Sequence, residues 1–265
     1  MQSIYKFRDW ENSYHKEILC DQLFYCASIA DFNDPFDSHI PINYMDLTNA
    51  ERIEVIEEHV KRNYPTLMKK DRIDKVQKVF RESAITDPEE LKRNHREIVI
   101  PKLKNEMGVI SFAGNKKHIL LWSHYANGHK GFSVGVDRDK LMEWVKPLLI
   151  KEDKYIEIFN VNYKEEYPSF NPLDLTLEEY YTLPLTTKAE EWSYEDEVRL
   201  LFKGGAKRKL KLDTELFTEL VIGCNMEDDH EEEIMSVVES EFDNLPVYKS
   251  SMAEYEFALN FEKIA

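Results

Sequence analysis

The stretch ILLWSHYANGHKGFSVGVD, residues 119–137, changes its hydrophobic period within a few residues and thereby restricts the fold. Its first half has the apolar spacing of a helix. In residues 131–137, Phe132, Val134 and Val136 alternate with small or polar residues, which is the period of a strand with one buried face. Such a strand needs neighbouring strands, so we expect a helix that leads directly into a sheet.

The rest of the sequence shows the same mixture of periods, whereas residues 48–105 are charged and helical in pattern. We therefore predict a single α+β domain over residues 1–265, with a mixed, mainly antiparallel sheet core and a helical insertion at 48–105. The predicted strands are 4–7, 23–28, 107–112, 131–137, 155–163, 194–202, 216–222, 245–249 and 255–261, and the predicted helices outside the insertion are 10–19, 118–127, 139–147, 176–183 and 227–239.

The last predicted strand has the clearest alternation near the C-terminal end of the sequence. Tyr255, Phe257, Leu259 and Phe261 alternate with polar or small residues. This pattern predicts that the four side chains share one buried face.

The charge balance excludes one class of partner. The chain has 51 Asp and Glu against 35 Lys and Arg, a net charge of -16, which disfavours extended binding to a nucleic-acid backbone. No run of eighteen apolar residues and no signal-peptide pattern occurs. We therefore expect a cytoplasmic protein that does not enter a membrane.

The cysteines and histidines do not predict a metal site. Cys20, Cys26 and Cys224 form no metal-like cluster, and an odd number of cysteines gives no disulfide framework. His124 and His129 are five residues apart, which is poor spacing for joint ligation on one helix. We expect reduced thiols and no bound metal.

Acidic residues interrupt the apolar segment EEWSYEDEVRLLF, residues 190–202. A strand over 194–202 would place Glu195, Glu197 and Arg199 on one face. Two carboxylates at this spacing can share a ligand, one holding a hydroxyl while the other carries or accepts a proton. A solvated sheet face, or a salt bridge between Glu197 and Arg199, would explain the pattern without catalysis. Both interpretations stay open at this point.

Several motifs together resemble the bacterial family called domain of unknown function 2971. The resemblance covers most of the chain apart from 48–105, and WSHYANGHKGF and WSYEDEVR are its most specific parts. The family name implies no activity. The motifs are YKFR at 5–8, FNDPFD at 32–37, ISF at 110–112, LWSHYANGHKGFSVGVD at 121–137 and EEWSYEDEVRLLF at 190–202.

The order of these motifs is also similar to the ADP-ribosyltransferase superfamily, which implies an ADP-ribosyltransferase-like fold with NAD as substrate. In that superfamily a late Glu holds the nicotinamide ribose and favours an oxocarbenium-like transition state. The resemblance implies that Glu197 and Glu195 are the catalytic pair, that Arg8 contacts the phosphate or ribose, and that Ser111 lies on the middle strand. Residues 111–113 are Ser-Phe-Ala, where many such transferases have Ser-Thr-Ser.

The aromatic segment would complete the nucleotide site. The resemblance implies that Trp122 or Tyr125 stacks on nicotinamide. We also expect His129 and Arg199 to help bind the nucleotide. We expect Trp122, Tyr125 and His129 to line or support a cleft that also contains Arg8. Buried aromatic residues of this kind are also common as core packing.

The resemblance predicts NAD-dependent ADP-ribosyl transfer or NAD cleavage, in a bacterial toxin or antiviral defence effector with a possible protein acceptor. The alternative is a non-catalytic module that uses Arg8, Glu197 and Arg199 to hold a nucleotide or a protein partner. A metal-dependent nuclease using Asp34, Asp37 and the two glutamates ranks last, because a recognised acidic metal motif and a basic surface are both missing from the sequence.

Overall fold

The computed structural model of the protein describes residues 2–39, 42–43, 47–82, 88–152, 155–171 and 175–265. The chain forms two compact units. The first comprises Met1–Phe32, Glu106–Tyr163 and Glu190–Ala265, and the second comprises Asn33–Asn105 and Lys164–Ala189. The predicted insertion therefore lies within the second unit, which also contains the residues just before it and a later segment.

Helices occur in both units, and among the described residues none is long and apolar enough to cross a bilayer. The α-helices are α1 (Ser13–Cys20), α2 (Asn49–Asn63), α3 (Lys69–Glu82), α4 (Pro88–Asn94), α5 (Ile100–Glu106), α6 (Ile119–Tyr125), α7 (Arg138–Glu152), α8 (Leu177–Thr182) and α9 (Asp228–Glu241). A π-helical turn, His95–Val99, joins α4 to α5.

The strands are β1 (Ser3–Arg8), β2 (Leu23–Tyr25), β3 (Ala27–Ser28), β4 (Met107–Ala113), β5 (Phe132–Asp137), β6 (Ile156–Asn160), β7 (Asn162–Lys164), β8 (Thr187–Ala189), β9 (Glu197–Lys203), β10 (Lys209–Lys211), β11 (Phe217–Ile222), β12 (Val247–Met252) and β13 (Leu259–Lys263).

Within the described residues, nine strands form one large sheet in the first unit. Its order is β13-β12-β11-β5-β1-β4-β9-β6, and β3 pairs with β4 beside this path. Neighbouring strands are antiparallel except for β11 and β12, which are parallel and are connected through α9. A parallel pair needs such a crossover, whereas antiparallel pairs can be joined directly. The predicted α+β class with a mainly antiparallel sheet is confirmed.

The strand predicted from alternation at 131–137 lies near the middle of this sheet. Phe132, Val134 and Val136 are completely buried in the main core. The opposite face of the sheet is covered by a smaller cluster that contains Phe7 and Trp122. Because both faces are covered, the polar residues of β5 are buried as well.

The second unit contains the helices predicted at 48–105. Thr48 caps α2 in a capping box with Glu51, which satisfies backbone donors at the start of the helix. Ile56 and Val60 then pack with Val76 of α3 in a small core. The predicted helical character of this region is confirmed.

The predicted strand 194–202 begins later than expected. Residues Glu190–Glu195 form a 3₁₀ helix, and the strand starts at Glu197. Between them Asp196 has a φ of 45°, a left-handed conformation that interrupts the extended backbone. Glu195 is therefore not on the strand, and the prediction that it shares a strand face with Glu197 and Arg199 is wrong.

The predicted strand 255–261 is also displaced. The Ala253 N–H donates to the Ala258 carbonyl at 3.0 Å and closes a hairpin turn, so β13 begins only at Leu259. Tyr255 and Phe257 lie in the turn and are 88% and 100% exposed. The prediction that these two rings share a buried face is wrong.

The loop between α6 and β5 depends on a close approach of two backbones, and this gives a stability prediction. A Cβ on Gly131 would overlap the Arg8 carbonyl oxygen, whereas a Cβ on Gly128, which has a φ of 61°, would meet open space. We expect Gly131→Ala to lower the free energy of unfolding by about 1–3 kcal/mol, because the backbone of β1 must shift. The control Gly128→Asn should cost less than about 1 kcal/mol, because Asn tolerates left-handed backbone.

Urea unfolding of both variants checks the order of the two effects. If Gly131→Ala is the milder substitution, the close approach of the loop to β1 is not a structural constraint.

Candidate functional site

The candidate site begins at an unfilled position on the edge of β4. One edge of β4 pairs with β9 along its whole length. On the other edge β1 pairs only at Ala113, and β3 pairs at Val109 and Gly108. Ser111 lies between these two pairings, so no strand covers its backbone.

The hydrogen-bond alternation along β4 gives the direction of the Ser111 carbonyl. The Gly114 N–H donates to the carbonyl of Asp196, the residue just before β9, at 2.7 Å. Because donors alternate along an antiparallel ladder, the Ser111 carbonyl must point away from β9. The Lys6 ammonium donates to this carbonyl at 2.6 Å. A charged side chain of β1 thus takes the place of a strand hydrogen bond.

Arg8 lies two residues further along β1, beside Lys6. Burial lowers the pKa of Lys6 well below its usual range, and the neighbouring Arg8 charge lowers that pKa further, while Glu197 and Glu195 oppose the shift. Burial also lowers the pKa of Arg8 to about 10. Two cations therefore lie together in a poorly solvated place.

Arg8 lacks a counter-ion among the residues that the structure describes. Its guanidinium donates to the Phe7 carbonyl at 3.2 Å. It has five N–H donors, which leaves most of them available. Burial lowers the pKa of His15 in α1, and the nearby Arg8 charge lowers that pKa further. The His15 Nδ1 is buried without a hydrogen-bond partner in the described part of the chain.

Glu197 and Arg199 form an ion pair on β9. Arg199 donates from Nε to Oε1 of Glu197 at 2.8 Å and from an Nη to Oε2 at 3.0 Å. The side chains are 1% (Arg199) and 6% (Glu197) exposed. The Arg199 guanidinium also lies 5.2 Å from the ring centre of Phe32, the first residue of FNDPFD. The structure therefore shows the salt bridge between Glu197 and Arg199 that the sequence left open.

Glu195 lies at the end of the 3₁₀ helix and is buried. The Tyr125 hydroxyl donates to its Oε1 at 2.6 Å. Burial and this hydrogen bond raise the pKa of Tyr125, so the phenol keeps its proton. The Glu197 N–H donates to the Tyr163 hydroxyl at 2.8 Å. Two tyrosines thus position the acidic segment.

These residues form one group around Lys6, which we call the charge cluster: Lys6, Arg8, Glu195, Glu197 and Arg199. Glu197 and Glu195 both act electrostatically on Lys6. The β1 cations of the cluster can bind an anion, whereas Glu195 and Glu197 are buried and engaged by Tyr125 and Arg199. Of the predicted site residues, the structure places Ser111, Glu195, Glu197, Arg199 and Tyr125 in this region of the first unit. Arg8 lies beside Lys6, but the strand registers place its side chain on the face of the sheet that carries Phe132, opposite to the face that carries Glu197.

Trp122 and His129 have other surroundings. Trp122 is 0% exposed, packs edge-on against Phe7 at 5.1 Å, and donates from Nε1 to the Lys116 carbonyl. A nicotinamide ring has no access to this indole, so the expectation that Trp122 stacks on a ligand is replaced by a packing role. His129 stacks on Trp122 and lines a cavity of about 560 Å³ with Ile119 and residues 252–259, a lining that does not include Arg8.

Sequence reasoning missed Lys6 and His15. Alternation in YKFR places Lys6 on the same side of β1 as Arg8, so the sequence held a signal for Lys6. His15 has no comparable signal, because its position depends on how α1 returns to β1.

The buried ion pair gives a second prediction. Removing Arg199 leaves the Glu197 carboxylate buried without its bidentate partner, so Arg199→Met should lower the free energy of unfolding by about 3–5 kcal/mol. The control is Lys130→Met, because Lys130 pairs with Glu227 at 3.5 Å on the surface with side chains 48% and 60% exposed. That substitution should cost less than about 1 kcal/mol. Denaturant unfolding checks both, and equal effects would contradict a buried pair.

Comparison with known proteins gives a match to one family model over part of the chain. No curated protein and no solved structure matches the chain. Residues 121–200 match the model of a family described as "Protein of unknown function (DUF2971)". This segment runs from the start of LWSHYANGHKGFSVGVD into β9, so it contains Tyr125, Glu195, Glu197 and Arg199. The resemblance to the family called domain of unknown function 2971 is thereby confirmed.

Proposed function

We propose that the chain binds a nucleotide, with NAD as the expected ligand, through a phosphate at Lys6 and Arg8. The observation that carries this proposal is the Arg8 guanidinium, which is half-buried and has no carboxylate partner among the described residues. Burying an uncompensated charge is costly, and a bound anion removes that cost. Arginine suits a phosphate because its planar donors can bind two oxygens at once.

Lys6 adds to the argument. Its ammonium is fixed at the Ser111 carbonyl, and burial, followed by the proximity of Arg8, lowers its pKa. A phosphate between the two cations would stabilise both charged forms. The unpartnered Nδ1 of His15 supplies a further polar atom near Arg8.

NAD cleavage or ADP-ribosyl transfer is the second candidate. The observation that favours it is that Glu197 and Glu195 both act electrostatically on Lys6, which lies beside Arg8 on β1. Glu195 or Glu197 would then stabilise the cation that develops when the bond to nicotinamide breaks. Arg199 offsets the Glu197 charge, which is why this candidate comes second. The role of a toxin or defence effector belongs to this candidate alone.

The binding proposal predicts a specific loss of affinity. NAD and ADP-ribose should bind saturably to the wild type in calorimetry, and Arg8→Gln should weaken both about 10- to 100-fold, because a charge-assisted contact is worth roughly 1.5–3 kcal/mol. The matched control is Arg208→Gln, since Arg208 is exposed. Nicotinamide should bind weakly, because it has no phosphate.

Following nicotinamide release in the same samples separates the two candidates. Binding without release selects the binding module. Release that is lost in Glu195→Gln and Glu197→Gln variants, with NAD affinity retained, selects the enzyme. If wild type and Arg8→Gln bind NAD and ADP-ribose equally, or neither binds them, the phosphate site at Arg8 is wrong.

A further inference from the structure

β13 lies at one end of the large sheet, and its outer edge has no neighbouring strand among the described residues. An uncovered edge strand presents unpaired backbone donors and acceptors, which are a template for another strand. Proteins often protect such an edge with proline, a bulge or charged side chains, lysine above all. β13 has the sequence LNFEK and pairs with β12 without a register shift, so proline and a bulge are both missing from it, and its exposed Glu262 and Lys263 are the charged residues of this strand.

The hydrogen bonds of the hairpin show which residues face outward. The Ala253 N–H donates to the Ala258 carbonyl, and the Ile264 N–H donates to the Val247 carbonyl. Ala258 and Ile264 are an even number of residues apart, so Asn260 and Glu262 also direct their backbone groups to β12. Leu259, Phe261 and Lys263 therefore direct their N–H and C=O groups away from the sheet.

We propose that β13 pairs antiparallel with β13 of a second copy of this chain, about a two-fold axis at Phe261. In this register Phe261 faces Phe261 of the second copy, and Leu259 faces its Lys263. Every outward backbone group of β13 then has a partner, and each facing pair exchanges two hydrogen bonds. Shifting the register by two residues leaves some of these groups unpaired.

The side chains agree with this register. Glu262 faces Asn260 of the second copy, so no like charges are directly opposed. Ala258 faces Ile264 of the second copy, and Phe257 precedes Ala258 in the hairpin turn. Phe257 is 100% exposed and Ile264 is 43% exposed, so the pairing brings two exposed apolar residues to the contact between the copies. An isologous contact of this kind also closes, and it does not form fibres.

Cysteine cross-linking tests the register. Asn260 and Glu262 are exposed, so Asn260→Cys and Glu262→Cys leave the core intact. In the proposed dimer these two positions face each other at a separation that a disulfide can bridge. Mixing the two variants under oxidising conditions should give a cross-linked heterodimer. Each variant alone should cross-link weakly, because its two cysteines are offset along the strands, and the wild-type chain gives the background from its own cysteines.

The oligomeric state in solution is the second readout. Light scattering over a dilution series should show a dimer that dissociates to monomer. Phe257→Asp should weaken it about tenfold or more, because a buried aromatic contact is lost. The control is Met252→Gln, which changes a residue of β12 that is 76% exposed but not on the free edge. Added salt should strengthen the dimer, because two chains of charge -16 repel each other.

A wild type that is monomeric at every concentration overturns the proposal. Pairing of β13 with a strand of a different protein would not rescue it. A dimer that persists in Phe257→Asp, or a mixture that cross-links no better than Asn260→Cys alone, also overturns it, because the copies then meet elsewhere or in another register.

Discussion

The contact between the Lys6 ammonium and the Ser111 carbonyl determines how the charges of the first unit are arranged. β1 and β3 approach the same edge of β4 but do not meet, and Lys6 fills the position between them. A buried carbonyl without a partner would cost about 1–3 kcal/mol, so this position needs a donor. A lysine satisfies it and brings a positive charge into the sheet. That charge in turn needs carboxylates nearby, and Glu195 and Glu197 supply them.

The acidic segment is held by several different contacts. Arg199 fixes Glu197 from the same strand, and the Tyr125 hydroxyl fixes Glu195 from α6. The same contacts occupy the carboxylates and limit their freedom to change partners during a reaction. A charge cluster with fixed carboxylates and an uncompensated arginine is better suited to binding an anion than to stabilising a cation that develops during a reaction. This preference is the physical basis for ranking nucleotide binding ahead of NAD cleavage.

β5 was predictable from the sequence because large apolar residues on one face alternate with small or polar residues on the other, although both faces are buried. β5 was predicted over 131–137 and occurs at Phe132–Asp137. The predicted start of a strand was wrong where a single residue interrupts the extended backbone, as Asp196 does before β9. Alternation at 255–261 was misleading, because a hairpin turn occupies its first half and the rings there face solvent.

The candidate site was only partly predictable for a related reason. The residues Arg8, Glu195 and Glu197 were chosen from motifs, and in the structure each of them acts on Lys6. The gap beside β4 is a property of the sheet order, which no local pattern contains. Lys6 acquires its role only from that gap. Trp122 shows the opposite case, since its residue type suggested a ligand contact and its position between Phe7 and His129 makes it part of the core.

The position of β1 in the sheet has a consequence for synthesis on the ribosome. β1 lies between β5 and β4, although both of these strands come much later in the chain. At typical elongation rates the roughly 130 residues from β1 to the end of β5 take about 6–26 s to be made. Until then Ile4 and Phe7 have no sheet to bury them, and the nascent chain must stay unfolded or be shielded by a chaperone. The early translation phase is therefore the time at which this protein is most exposed to aggregation.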